Sequence, residues 1–107
     1  MPRAAIHPGE HLAEELRELG FSAAELARQI EVPVNRITGI INGQRGITAD
    51  TALRLSHWFG TSAEFWLNLQ TLYELRLARR NAGARVARLP KLADRAITRR
   101  TAAAQGR

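Results

Sequence analysis

Apolar residues recur at helical intervals along most of this chain, and short polar or glycine-containing breaks separate the intervals. Leu12, Leu16 and Leu19 alternate with Glu14, Glu15, Arg17 and Glu18, the spacing of a helix with one buried face. Pro8 suits its first turn, because the missing N–H would have no partner there. Gly20 supplies a stop. Ser22-Ala23-Ala24-Glu25 reads as a capping box ahead of a second stripe, Leu26, Ala27 and Ile30. Glu31-Val32-Pro33 interrupts the pattern, and Pro33 then suits the start of a third helix carrying Ile37, Ile40 and Ile41, ended by Asn42-Gly43. Beyond the loop Gln44-Arg45-Gly46-Ile47, Thr48 caps a fourth helix with Ala52, Leu53, Leu55, Ser56 and Phe59, closed by Gly60. Thr61-Ser62-Ala63-Glu64 reads as another capping box and opens a fifth helix that runs to about Arg80. The fold class is all-α.

The fifth helix differs from the others. Phe65, Trp66, Leu67, Leu69, Leu72, Tyr73, Leu75 and Leu77 place apolar groups around most of its circumference, so it needs cover on more than one side. We expect one side to cap the core, with Phe65, Trp66, Leu69, Leu72 and Tyr73 meeting a second copy in a homodimer. After Arg80 the pattern fades. Asn81-Ala82-Gly83 reads as a breaker, Val86 and Leu89 hint at a short strand within 84–90, and 93–107 reads as poorly ordered alone. The division expected is residues 1–80 as a folded helical and dimerisation domain and 81–107 as a basic, flexible tail.

Composition narrows the function classes. The 107 residues include no cysteine, which removes a disulfide framework and a thiolate metal site. No stretch approaches the roughly 18 apolar residues of a membrane span, and the first residues carry no apolar run of the signal-peptide kind. A soluble, cytoplasmic protein with no membrane partner is expected. The net charge of +6 is unevenly placed: residues 1–80 hold nine arginines and nine carboxylates, whereas 81–107 hold six arginines, one lysine and one aspartate. Such a tail favours polyanions through counterion release.

The informative segment is Phe21 to Gly43. It offers a capped helix, a small inward residue (Ala27), a short turn and a second helix, the elements of a helix-turn-helix. In that motif the second helix lies in the major groove of double-stranded DNA. Its outward positions, Asn35, Arg36, Thr38 and Gly39, suit base reading: Asn can pair with adenine, Arg with guanine, Thr with several edges, and Gly permits close approach. Ser22 and Ala23 at the opening of helix 2, with Asn42, Gln44 and Arg45 after helix 3, are candidate phosphate contacts. His7-Pro8-Gly9-Glu10-His11 has a zinc-enzyme spacing, but Pro8 and Gly9 make it a helix start rather than a helix interior. Neither a catalytic set nor a cofactor or metal site is expected.

From about Ile6 to Arg79 the chain resembles the HigA-type antitoxins of the XRE, or phage-repressor-like, class. The resemblance rests on His7-Pro8-Gly9-Glu10, Val32-Pro33-Val34-Asn35-Arg36-Ile37, the run from Ile41 to Leu55 that contains Asn42-Gly43-Gln44-Arg45-Gly46 and Thr48-Ala49-Asp50-Thr51-Ala52, and the run from Phe59 to Gln70. It implies a five-helix, lambda-repressor-like helix-turn-helix domain with a basic C-terminal tail. It also implies a homodimer that binds operator DNA, associates with the nucleoid when bound, represses its own operon and neutralises a HigB/RelE-like ribonuclease toxin. The DNA contacts of the family map onto Asn35, Arg36 and Thr38, and its loop contacts onto Asn42, Gln44 and Arg45. Glu31 stands where the turn commonly has glycine, so a non-glycine residue in a left-handed or adjusted conformation is expected there.

Overall fold

The computed structural model describes residues 5–95. Its α-helices are α1 (Pro8–Leu19), α2 (Ala23–Gln29), α3 (Val34–Ile41), α4 (Ala49–Phe59) and α5 (Ala63–Ala87), followed by a short 3-10 turn at Leu92–Arg95. Among the described residues there is no strand, and no helix is long and apolar enough to cross a membrane. The chain divides into two units, one ending at Leu77 and the other beginning at Ala78.

The local signals fall where the chemistry requires them. His7 caps α1, its Nδ1 accepting from the Gly9 N–H at 2.9 Å. The Ser22 hydroxyl accepts from the Glu25 N–H at 3.1 Å while Glu25 accepts from the Ser22 N–H at 2.8 Å, completing the box at α2. Thr48 caps α4. At α5 the cap is Ser62, which accepts from the Phe65 N–H at 3.0 Å. Thr61, read from the sequence as the cap, instead accepts from the Trp66 indole N–H at 3.0 Å. Its hydroxyl therefore satisfies a core tryptophan and not the helix end.

The core of the first unit is built from Leu12 and Leu16 of α1, Leu26, Ala27 and Ile30 from α2 and its end, Ile37 and Ile40 of α3, Ile47 of the loop that follows, Ala52 and Leu55 of α4, and Trp66 of α5. Ile37 and Ile40 are fully buried, each burial stabilising the fold by about 1.5–3 kcal/mol. Phe21, Trp58, Phe59 and Trp66 form a chain of ring contacts, with centroids 4.8 to 5.3 Å apart. The Trp58 indole also donates to the Gln29 side chain at 3.3 Å. Leu53, one of the recurring apolar positions of α4, faces outward instead.

Two expectations for the end of the chain need correction. Asn81-Ala82-Gly83 does not break α5, and residues 84–87 continue as helix instead of forming a strand. A lone helical glycine costs only about 1 kcal/mol, and Ala82, Ala84, Arg85 and Ala87 restore propensity. The helix stops where Pro90 restricts the residue before it. Residues 92–95 form the 3-10 turn, and the rest of the segment read as poorly ordered lies outside the described residues.

One packing contact sets the position of α3. A Cβ on Gly9 would overlap the carbonyl oxygen of Ile40, so α1 can lie against the backbone of α3 only because residue 9 has no side chain. We therefore expect Gly9→Ala to lower stability by about 1–3 kcal/mol, seen as a drop in melting temperature. An unchanged melting temperature would mean that α1 and α3 can separate without cost.

Candidate nucleic-acid interface

Helices α2 and α3 are joined through Ile30–Pro33. Of the left-handed or adjusted conformations expected for it, Glu31 takes the left-handed one, with φ of 58°. A non-glycine residue pays about 1–2 kcal/mol there, and the structure compensates from α4. The Arg54 guanidinium donates to the carbonyls of Ile30 at 2.8 Å and Glu31 at 3.3 Å. Its Nε donates to Asp50 at 3.0 Å.

Asp50 also receives Arg36, whose Nη1 lies 2.7 Å from its Oδ2. One carboxylate thus joins the first turn of α4 to the turn of the motif through Arg54 and to α3 through Arg36. The two guanidiniums, Arg36 first, hold the Asp50 carboxyl below its ordinary range. Neither Asp50 nor Arg54 was singled out by the chain pattern, because their partners lie 14 to 24 residues away. The available hint was their i,i+4 spacing in α4.

This arrangement redistributes the expected base readers. Asn35 is exposed and points from the first turn of α3. Thr38 is partly exposed, and its hydroxyl donates back to the Val34 carbonyl at 3.3 Å. Arg36 is tied to Asp50, with a side chain 30% exposed. Gly39 is buried, so the expectation that it meets a base edge directly does not hold. Val34, which sequence reasoning passed over, is 48% exposed at the opening of the helix.

Of the expected phosphate contacts, Asn42, Gln44 and Arg45 are exposed together after α3. Ser22 and Ala23 lie at the start of α2, where the Glu25 carboxylate already fills the helix end. Its hydrogen bonds to Ser22 lower its pKa and keep it charged. That charge competes with a phosphate at this helix end. The two histidines of the zinc-like spacing have separate duties. His7 caps α1 and lies edge-on to Tyr73 at 4.8 Å, and His11 packs against Phe65 and Trp66.

Along α5, Trp66 is 1% exposed. It is a core residue of this chain, so the expectation that it meets a second copy does not hold. Leu69 is half-buried against the same core. Phe65 and Leu72, 37% and 51% exposed, remain open to solvent beside Leu75.

The helix-turn-helix family is matched over residues 12–66, the stretch from α1 to the core tryptophan. A HigA-family antidote protein from Coxiella burnetii superposes with a TM-score of 0.82 at 50% identity, covering 83% of this chain and 98% of that one. The chain belongs to the HigA-type antitoxins of the XRE helix-turn-helix family. The Pseudomonas aeruginosa antitoxin HigA, solved with the higBA promoter, superposes at TM-score 0.78 and 43% identity, covering 82% and 98% of the two chains. Virulence-associated protein I of Dichelobacter nodosus is 56% identical over 75 residues, 69% of each chain. The HigA family consists of DNA-binding regulators, not enzymes.

Because the Asp50 carboxyl is depressed when folded, its contribution is present above its unfolded value and disappears as pH falls through the folded one. We expect Asp50→Asn to melt at lower temperature at neutral pH and to lose less further stability below about pH 4 than the unsubstituted protein. Parallel acid profiles by thermal melting would assign the acid sensitivity elsewhere.

Proposed function

We propose that this antitoxin-family protein binds an operator as a homodimer, represses its own operon and neutralises a HigB/RelE-like ribonuclease toxin. The observation that carries the DNA reading is α3 itself. It is held by Gly9 on one side and by the Asp50 network on another, and its outer face presents Asn35 and Thr38. Preorganised side chains of this kind bind without paying to order themselves. The P. aeruginosa relative solved with promoter DNA supports the same reading.

In this reading Asn35 pairs with adenine, Thr38 and Val34 lie against thymine methyls or adjoining edges, and Asn42 and Gln44 bond phosphates. Arg36 acts chiefly by fixing α3 to α4, with its remaining donors facing the groove. Ser22 and Ala23 add a phosphate contact at the start of α2. Phe65, Leu72 and Tyr73, with the exposed edge of Leu69, face a second copy. The dimer sets two α3 helices about 34–36 Å apart, one turn of DNA. The protein acts in the cytoplasm, on the nucleoid.

The test is a gel shift of the DNA just upstream of the gene against scrambled competitor at physiological salt. Specific retention is expected, and Asn35→Ala should weaken it by about 1–3 kcal/mol. Binding that competitor removes and salt erases would leave only electrostatic attraction by the basic tail. Leu72→Glu should yield a folded monomer in sedimentation; an unchanged mass would place the dimer contact elsewhere. Co-purification with the product of an adjacent RelE-like reading frame separates an antitoxin from a stand-alone regulator.

A further inference from the structure

Gly39 occupies the middle of α3, one turn after Asn35 on the same outer face. Glycine is the least favourable residue in a helix interior apart from proline, and Gly39 is not among the positive-φ glycines that need its freedom. Its outward position predicts exposure, yet it is buried. The cover is Arg45: a Cβ on Gly39 would stand 2.6 Å from Arg45 Cδ and 3.0 Å from its Cγ. The loop is pinned to the same residue, since the Gly39 carbonyl accepts from the N–H groups of Gln44 at 2.8 Å and Arg45 at 3.2 Å. Arg45 therefore lays its stem across the helix face that the motif turns toward DNA. Its guanidinium makes no hydrogen bond or ion pair among the described residues, whereas that of Arg36 is engaged by Asp50.

We propose that Arg45, seated on Gly39, is the residue of this protein that reads a guanine, and that Gly39 is the positioning residue that lets it do so. A planar guanidinium donates two parallel bonds to guanine O6 and N7 in the major groove. An arginine free on the outer face of α3 can reach that edge; one bound to a carboxylate beside the helix must first give up its partner. The inference rests on the DNA-binding reading above and reassigns Arg45 from backbone contact to base discrimination.

The test uses the full chain on a duplex selected from a random pool, with each base pair then varied singly. Arg45→Ala should lose tenfold or more of its preference at one G·C pair and keep its preferences elsewhere. Gly39→Ala should melt at higher temperature, since alanine favours the helix, and yet lose the same preference by displacing the arginine. The double substitution should bind no worse than Arg45→Ala alone. If Arg45→Ala weakens every duplex equally and lowers the salt slope by about one, Arg45 touches a phosphate and the proposal is wrong. A Gly39→Ala loss that persists in full on top of Arg45→Ala would also overturn it, because the methyl would then clash with DNA directly. If the unsubstituted protein selects no sequence from the pool, the DNA-binding reading itself falls, and the proposal with it.

Discussion

The absence of one side chain fixes the geometry on which everything else rests. Gly9 lets the start of α1 press against the backbone of α3 at Ile40, and that contact fixes how far α3 stands from the core. Ile37 and Ile40 can then be fully buried while Asn35 and Thr38 remain available. A helix that must present side chains within a fraction of an ångström to another molecule gains from being gripped by its backbone, because backbone atoms have no rotamers to lose. His7 reinforces the grip by capping the same turn in which Gly9 sits.

Around this contact the polar network has a different task. Ile30 and Glu31 end α2 in a conformation that leaves carbonyls without helical partners. Arg54 satisfies them from α4, and Asp50 balances both Arg54 and Arg36. All these ion pairs are at least partly exposed, where solvent screens them and each adds little stability. Their value lies in direction more than in strength: they orient α3 about its axis, a degree of freedom that two isoleucines alone leave soft. Gln70 does the same for the loop after α3, accepting from the Ile47 N–H at 2.8 Å in space that Gly46 leaves empty.

What the sequence made legible was local. Pro8, Gly20, Ser22 with Glu25, Thr48 and Gly60 act on neighbours within four residues, and the helices begin and end beside them. The inward stripes of α1, α2 and α3 were readable for the same reason, except that Leu19, read as part of the α1 stripe, is exposed at the helix end. Periodicity lost its power on α5, where apolar groups surround the helix: it could not say that Trp66 turns into its own core while Leu72 does not. It also gave Gly39 an outward position without showing what would cover it. Asp50, Arg54 and Gln70 act over 14 to 24 residues, and no spacing rule connects such pairs before the chain is folded. The stop after Arg80 was misplaced because a single glycine weighs less than the helix formers around it.

The seat of Arg45 on Gly39 carries a consequence for how such a surface can change over generations. Where all contacts come from one helix, new recognition can arise by exchanging residues on that helix alone. Here the outer face of α3 is shared with a loop, so the helix sequence and the length of the segment from Asn42 to Arg45 are inherited as one unit. Transplanting the eight residues of α3 into another scaffold would move only part of the surface. A single insertion in the loop would rewrite it with every helix residue intact.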